Sequence, residues 1–192
     1  TFVGHPLLDR LGPAANRLET LERPGLSDGL PIVGLLPGSR EGEIQKILPV
    51  LLKACEQLVH TLPDSARFLL IKSPTLPWSV YQETLKQSAV QPKVVERWDY
   101  DVLQACDLVL VTSGTATLEC ALLERPMLII YKNHWLTYLA ARLLIRIPRI
   151  GLVNVVAGSE VVPELIQHQA NPNRIAKETL ALWKSAQRRE AM

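Results

Sequence analysis

The stretch from Leu108 to Tyr131 decides the fold and reads LVLVTSGTATLECALLERPMLIIY. Its first part, Leu108 to Val111, is a continuous apolar run with β-branched residues, which is typical of a strand buried on both faces. A helical pattern over Ala116 to Leu123 follows, and a second apolar run extends from Met127 to Tyr131. The stretch therefore predicts a strand, a turn, a helix and a second buried strand.

The turn after the first strand carries the small polar residues Ser113, Gly114, Thr115 and Thr117. The first amides of a helix have no intrahelical partner and the helix dipole adds partial positive charge, so such a turn suits an anion. Glu119 lies about one turn inside the helix, where a carboxylate disfavours phosphate but accepts hydrogen bonds from hydroxyls such as those of a ribose. Amides followed by an acid suggest a nucleotide diphosphate.

The composition of the 192-residue chain, with 47% hydrophobic and 21% charged residues, is that of a globular α/β protein and not of a disordered one. This length predicts one domain with a well-buried core. The net charge of +2 is small, so little in the composition supports a nucleic-acid partner.

The three cysteines, Cys55, Cys106 and Cys120, lie far apart inside apolar helical patterns and are interpreted as core thiols in a reducing compartment. No apolar run reaches the roughly 18 residues that span a bilayer, and no signal peptide opens the chain, which favours a cytoplasmic location. The chain starts at Thr1 without an initiator methionine, so we expect it to be a piece of a longer protein.

Residues 1–30 are rich in proline and glycine with weak periodicity and are interpreted as an opening segment and interdomain linker. His5 is interpreted as a turn residue, and no chemistry is placed in this segment. The ligand-binding domain is expected over residues 31–186, followed by a frayed polar tail at residues 187–192.

A second informative turn, Pro37 to Arg40, follows the predicted strand Ile32 to Leu36. Its glycine and serine supply backbone and hydroxyl donors, and Arg40 offers a planar fork of donors suited to phosphate or carboxylate. Apolar residues recur at helical spacing from Ile44 onward, interrupted by Pro49. Either the helix kinks at Pro49 or the main helix begins with Pro49 at its first position, and we favour the second, because the missing amide costs least there.

Further strands are predicted at Arg67 to Lys72 and Lys93 to Glu96, with a helix over Trp78 to Ser88. Asn171 is predicted to cap a last helix over roughly residues 172–186. Alternating strands and helices indicate an α/β fold with a Rossmann-like, doubly wound parallel sheet. Ligands bind such sheets at the carboxyl ends of strands, so the two turns can share one site. The glycine fingerprints of NAD and ATP sites are absent.

Asp99 and Asp101 match the D-x-D of metal-dependent sugar transferases, whose carboxylates hold a divalent ion on a diphosphate. Asp101 precedes the short helical pattern VLQAC, however, and is better explained as a helix N-cap. No metal site is therefore predicted.

The segment His134 to Ile147 predicts a helix with one apolar face and an opposite face of aromatic and basic residues: Trp135, Tyr138, Arg142 and Arg146. Such a face is typical of a helix that lies on anionic lipid, and equally of a packing helix with solvated arginines. From the residues alone both interpretations stay open.

Arg149 to Ala157 is predicted to be a strand or strand-like segment with a single polar residue, Asn154. A lone amide there either satisfies local backbone or points into a cleft. A helix is expected to start in Glu160 to Gln167.

Several segments together resemble the lipid-A-disaccharide synthases, glycosyltransferases of the two-domain GT-B fold. They are TFVGHPL at 1 to 7, LLPGSREGEI at 35 to 44, VTSGTATLECALLERPM at 111 to 127 and LVNVVAGSEVVPELIQ at 152 to 167. The resemblance implies a carboxyl-terminal half that binds a UDP-linked diacylglucosamine donor. The family transfers the sugar to a diacylated glucosamine 1-phosphate, forming the β-1,6 disaccharide of lipid A and UDP, which makes the UDP-sugar a substrate and implies no cofactor.

The resemblance also implies roles for individual residues. Ser39 and Arg40 resemble the loop that meets the donor's phosphates, and Asn154 resembles an asparagine at the active centre, although Val153 stands where the family usually has proline. The pyrophosphate turn and the ribose-binding acid are matched by Ser113, Gly114, Thr115, Ala116 and Glu119. Arg40 and Asn154 are the predicted catalytic residues of a metal-free inversion. The base that deprotonates the acceptor is implied to lie in the absent amino-terminal domain.

Because both family substrates are lipids, the resemblance favours a membrane-facing role for the aromatic and basic helix face, and a location peripheral to the inner membrane. A UDP-N-acetylglucosamine 2-epimerase or another GT-B transferase shares the anion turn and the acid, but LPGSR together with VNVVAG argues against both. A non-catalytic UDP-binding module remains an alternative. A parent gene with about as many residues again upstream would favour the enzyme.

Overall fold

The computed structural model describes residues 17–22, 25–26, 30–62, 66–95, 100–132 and 149–192. The predictions for His5 and Asp99 concern residues outside these ranges. So does the proposed membrane-facing set, Trp135, Tyr138, Arg142 and Arg146.

The described residues form a six-stranded sheet in which neighbouring strands run parallel. The strands are β1 (Ile32–Leu36), β2 (Arg67–Ile71), β3 (Lys93–Val95), β4 (Leu108–Thr112), β5 (Met127–Tyr131) and β6 (Glu164–Ile166). Their order across the sheet is β3-β2-β1-β4-β5-β6, so the direction of winding reverses between β1 and β4. This arrangement confirms the predicted Rossmann-like, doubly wound α/β fold.

Helices cover both faces of the sheet. They are α1 (Arg17–Glu22), α2 (Glu41–Leu58), α3 (Ser79–Lys86), α4 (Tyr100–Gln104), α5 (Ala116–Leu122), α6 (Leu152–Ala157), α7 (Pro172–Lys184) and α8 (Ala186–Glu190), with a 3₁₀ turn at Gln167–Gln169. Successive residues of a strand point to opposite faces, so β1 feeds two cores. Val33 and Leu35 pack under α2, α3 and α7, whereas Ile32 and Leu36 pack with residues of α1, α4 and α5.

Helix α2 runs through Pro49, so the prediction that the main helix begins there was wrong. An interior proline costs about 3 kcal/mol, because its ring removes one helical hydrogen bond and crowds the preceding turn. The part of α2 that precedes the proline buries Ile44, Ile47 and Leu48, each worth about 1.5–3 kcal/mol. Burial of these three side chains therefore outweighs the defect.

Two predictions near the end of the chain were also wrong. The expected strand around Asn154 is helix α6, whose last turn exposes Val155 and Val156 to solvent and which ends at Gly158 with φ 67°. The expected helix over residues 160–167 is instead strand β6, which pairs with β5. Pro163 directly precedes β6, and an interior proline together with β-branched neighbours opposes a helix there.

The packed domain extends beyond residues 31–186 at both ends. Helix α1 lies inside the predicted linker, and its Leu21 is buried in the core. Its Arg17 guanidinium donates to both carboxylate oxygens of Asp107, at 2.9 and 2.7 Å. The tail that was expected to fray contains α8, where the Ser185 hydroxyl caps the helix by accepting from the Arg188 amide.

Two local predictions were confirmed, and a third, the N-cap role of Asp101, was wrong by position. Asn171 caps α7, since its side-chain oxygen accepts a hydrogen bond from the Arg174 amide at 3.0 Å. The three cysteines are free and buried. Asp101 lies in the first turn of α4 rather than at its N-cap, where a carboxylate still complements the helix dipole.

Candidate functional site

The carboxyl ends of β1 and β4 lie side by side where the winding of the sheet reverses, and each strand leads into one of the predicted anion turns. We call Pro37 to Arg40 the β1 turn and Ser113 to Ala116 the β4 turn. Both turns line one cleft of about 570 Å³, together with Glu43, Tyr100, Glu119 and Leu152. The structure thus brings together in one place every residue predicted to bind the nucleotide sugar.

A larger cleft of about 700 Å³ lies beside the amino ends of β2 and β3 and is lined by residues such as Arg67 and Lys93. Volume alone does not identify a site. Open α/β sheets bind their ligands at the carboxyl ends of strands, at the point where the winding reverses. The cleft between the two turns meets that condition, and the larger cleft does not.

The β1 turn is held by the carboxylate of Glu43. Its Oε2 accepts hydrogen bonds from the backbone amides of Ser39 at 3.0 Å and Arg40 at 3.3 Å. Its Oε1 accepts a hydrogen bond from the Arg40 guanidinium at 3.0 Å. The Ser39 amide, one of the predicted backbone donors, and the Arg40 amide are therefore already paired, whereas the Arg40 side chain is 82% exposed and reaches into the cleft.

Gly38 makes this arrangement possible. Its φ of 122° is open to glycine and rarely to other residues, and a Cβ atom there would lie 2.5 Å from Oε2 of Glu43. The glycine of the PGSR motif thus leaves room for the carboxylate as well as permitting the turn.

The β4 turn is held by residues that are distant from it in sequence. The Ser113 hydroxyl donates to the carbonyl oxygen of Ile150 at 2.8 Å, and the Ser113 amide donates to Ile130 at 3.1 Å. The amides of Gly114, Thr115 and Ala116 have no hydrogen-bond acceptor among the residues that the structure describes. Because they begin α5, they remain available to an anion, as the sequence predicted.

Glu119 projects from α5 into the same cleft and is partly buried. Its Oε1 accepts a hydrogen bond from the Tyr100 hydroxyl at 3.3 Å. Tyr100 was not singled out from the sequence, because it comes from α4 and nothing in its neighbourhood signals this contact. The tyrosine orients the carboxylate that is predicted to bind ribose.

Asn154 is fully buried in α6, and its side-chain amide is saturated with hydrogen bonds. Its Nδ2 donates to the Val162 carbonyl and to Oε1 of Glu164, both at 2.7 Å, and its Oδ1 accepts from the amides of Val161 and Val162. These bonds tie α6 to the segment before β6. The side chain has no donor left for a ligand in this arrangement, and its catalytic role stays a prediction.

Glu164 is a further residue that the sequence did not indicate as part of the site. Besides Asn154, its carboxylate accepts hydrogen bonds from the amides of Ile150 at 3.0 Å and Gly151 at 2.9 Å. Ile150 in turn accepts the Ser113 hydroxyl. Glu164 is therefore connected to the β4 turn through a single residue.

The charged residues along the cleft are Arg40 with its partner Glu43 at the β1 turn, and Glu119 on α5. A diphosphate bound there would depend on the Arg40 guanidinium and the β4-turn amides, since the described lining has no net positive charge. The buried cysteines supply no nucleophile. Burial raises the pKa of Cys106 to about 12 and also raises the pKa of Cys55 and Cys120, so all three stay protonated thiols.

A family model described as lipid-A-disaccharide synthetase matches residues 1–192. The chain belongs to the lipid-A-disaccharide synthase family. It is 47% identical over 178 residues to the lipid-A-disaccharide synthase of Geobacter sulfurreducens, which covers 93% of the chain and 46% of that protein. It is 45% identical over 193 residues to that of Syntrophus aciditrophicus, covering 100% of the chain and 50% of that protein. The chain spans about half the length of these curated relatives.

Solved structures share the fold at low identity. The Escherichia coli ADP-heptose lipopolysaccharide heptosyltransferase II superposes with a TM-score of 0.61 at 15% identity, over 94% of the chain and 55% of that protein. A glycosyltransferase of lipopolysaccharide biosynthesis gives 0.60 at 15% identity, over 93% and 45%. A structure described as a UDP-N-acetylglucosamine 2-epimerase from Listeria monocytogenes gives 0.61 at 14%, over 90% and 40%. These likenesses show the Rossmann-like fold of GT-B proteins, and membership of the synthase family rests on the sequence matches.

Within the described part of the chain no helix is long and apolar enough to cross a membrane.

Proposed function

We propose that this chain is the donor-binding domain of a lipid-A-disaccharide synthase and that it binds a UDP-linked diacylglucosamine in the cleft between the two turns. The observation that carries the proposal is the convergence of Arg40, the β4-turn amides and Glu119 on one cleft. The free amides and the guanidinium suit a diphosphate, and the carboxylate suits the ribose hydroxyls.

The reaction is an inverting, metal-independent transfer of the acylated sugar to a diacylated glucosamine 1-phosphate, with UDP as the leaving group. Negative charge develops on the diphosphate as the glycosidic bond to UDP breaks. Arg40 and the amides of the β4 turn are fixed donors aimed at that charge, so they stabilise the transition state more than the ground state.

The acceptor hydroxyl must lose a proton as it attacks. We assign that base to the amino-terminal half that the family resemblance implies, since the chain spans about half of its relatives and the two carboxylates of the described cleft, Glu43 and Glu119, already accept hydrogen bonds from Arg40 and Tyr100. The chain on its own is expected to bind UDP and to form no disaccharide.

Isothermal titration of UDP into the 192-residue chain tests the site. Glu119→Gln removes the charge from the proposed ribose contact, and we expect the Kd for UDP to rise about tenfold to a hundredfold. The loss should shrink when 2′-deoxy-UDP replaces UDP, because fewer hydroxyls then face the carboxylate. Glu83→Gln, an exposed change on α3, is the matched control. No UDP binding by a folded chain would overturn the proposal.

We also propose that the parent enzyme works at the membrane surface. This rests on the lipid substrates of the proposed reaction and on the sequence pattern of Trp135, Tyr138, Arg142 and Arg146. Replacing Arg142 and Arg146 together by glutamate should reduce sedimentation of the chain with vesicles that contain anionic lipid. Unchanged sedimentation would remove the membrane role of this segment.

A further inference from the structure

Glu43 places a carboxylate inside a cleft proposed to bind a diphosphate. A negative charge near a phosphate site weakens anion binding by Coulomb repulsion. The residue is nevertheless built into the site, since it makes three hydrogen bonds to the β1 turn and Gly38 leaves space for it.

The two carboxylate oxygens of Glu43 have different partners. Oε2 pairs with the backbone of Ser39 and Arg40, and Oε1 pairs with the Arg40 side chain. The backbone pairing alone would make Glu43 an ordinary helix cap, because a glutamate three residues after the N-cap commonly accepts from that backbone. The guanidinium contact does not belong to that motif and restrains a side chain that is otherwise 82% exposed.

A guanidinium has five N–H donors, and Glu43 engages one nitrogen of the group. The remaining donors can face a diphosphate. An exposed arginine samples many rotamers, and ordering it when the ligand arrives reduces affinity. A hydrogen-bond partner that orders the arginine side chain before the ligand binds removes part of this loss of affinity.

We propose that Glu43 is a positioning residue: it withdraws the Ser39 and Arg40 amides from ligand binding and holds the Arg40 guanidinium over the cleft as a contact to the diphosphate. The inference rests on the proposed function and deepens it. It assigns the phosphate contacts of the two turns differently, to a side chain at the β1 turn and to backbone amides at the β4 turn.

Glu43→Gln separates positioning from capping. The glutamine oxygen still accepts hydrogen bonds from the Ser39 and Arg40 amides, whereas its NH₂ group faces the guanidinium and cannot pair with it. Glu41→Gln is the matched control. Glu41 lies in the same first turn of α2 and carries the same charge, but its carboxylate pairs with Gln45.

The test is titration calorimetry of the 192-residue chain with UDP and with uridine. For Glu43→Gln we expect the Kd for UDP to rise about fivefold, in line with an exposed ion pair, while the Kd for uridine is unchanged. Glu41→Gln should leave the Kd for UDP equal or lower, because it only removes a negative charge. In an Arg40→Ala background, Glu43→Gln should no longer weaken UDP binding. Glu43→Asp, which keeps the charge on a shorter side chain, should fall between wild type and Glu43→Gln.

Several results would overturn the inference. Tighter UDP binding by Glu43→Gln would make Glu43 a competitor of the ligand, and equal losses for UDP and uridine would make it only a cap. An unchanged Kd for UDP in Glu43→Gln, with wild type binding normally, would overturn the inference alone. A folded wild-type chain that does not bind UDP would overturn the proposed function with it.

Discussion

The β1 turn and the β4 turn occupy equivalent places at the ends of neighbouring strands, yet they are held in different ways. The carboxylate of Glu43, three residues after Arg40 and partly exposed, holds the β1 turn. The β4 turn is held by the Ser113 hydroxyl on Ile150, which lies 37 residues along the chain. The Glu43 carboxylate occupies the Ser39 and Arg40 amides, whereas the Ser113 hydroxyl holds the β4 turn and leaves the amides of Gly114, Thr115 and Ala116 available.

The contacts that hold the two turns also differ in how much they contribute to the free energy of unfolding. Hydrogen bonds at an exposed turn compete with water and contribute little, whereas loss of a partner in a buried network leaves unsatisfied groups at a cost of about 1–3 kcal/mol each. The β4 turn depends on Asn154 and Glu164, which lie in such a network. We therefore expect changes behind the β4 turn to affect folding, and changes at the β1 turn to affect mainly the ligand.

The largest expected effect comes from Asn154→Ala. The change removes four hydrogen bonds from a fully buried side chain and leaves the Val162 amide without its acceptor, while the Val161 amide keeps only the Ser159 carbonyl. We expect the free energy of unfolding to fall by about 3 kcal/mol, measured by urea denaturation.

Asn173→Ala is the control for Asn154→Ala. Its side chain is exposed and accepts a hydrogen bond from Gln57, so the loss should stay below about 0.5 kcal/mol. Asn154→Ala could instead lower the free energy of unfolding no more than this control does, while the full-length parent loses activity. The asparagine would then act on substrate, and the view that the β4 turn depends on a buried network would be wrong.

A smaller effect is expected for Ser113→Ala. Removing the hydroxyl that holds Ile150 should lower the free energy of unfolding by about 1 kcal/mol. The Kd for UDP should rise less than about fivefold, because the β4-turn amides remain. Urea denaturation and calorimetry of the same preparation measure both quantities, with the exposed Ser159→Ala as control.

The opposite pattern for Ser113→Ala would be informative. A loss of UDP affinity beyond about tenfold without loss of stability is the size expected for a hydrogen bond to a charged group. It would show that the hydroxyl turns from Ile150 to the phosphate when ligand binds.

The sequence predicted the parts of this site that depend on neighbours along the chain. The unit of β4, α5 and β5 follows from its apolar runs, and the two turns follow from their small polar residues after buried strands. Their meeting in one cleft follows from the parallel topology, because the carboxyl ends of parallel strands share one edge.

The parts that were missed depend on contacts that sequence spacing does not encode. Glu43 looks like an ordinary acidic residue in a first helical turn, and its contact with the Arg40 side chain depends on a rotamer. Glu164 falls in the segment that was expected to be helical, whereas the structure places it in β6 beside β5, where its carboxylate accepts three hydrogen bonds. Asn154 was expected in a strand, because a short apolar run does not by itself distinguish a strand from a helix.

The Asp107 carboxylate joins two elements at the amino ends of the strands, at the edge of the sheet opposite the two turns. It accepts hydrogen bonds from Arg17 in α1 and from the Ile32 amide at the start of β1, so it ties the segment that enters the domain to the amino ends of the strands. A single carboxylate thus fastens α1 to the edge of the sheet that lies opposite the cleft between the two turns, so a change at Asp107 would loosen α1 without touching that cleft.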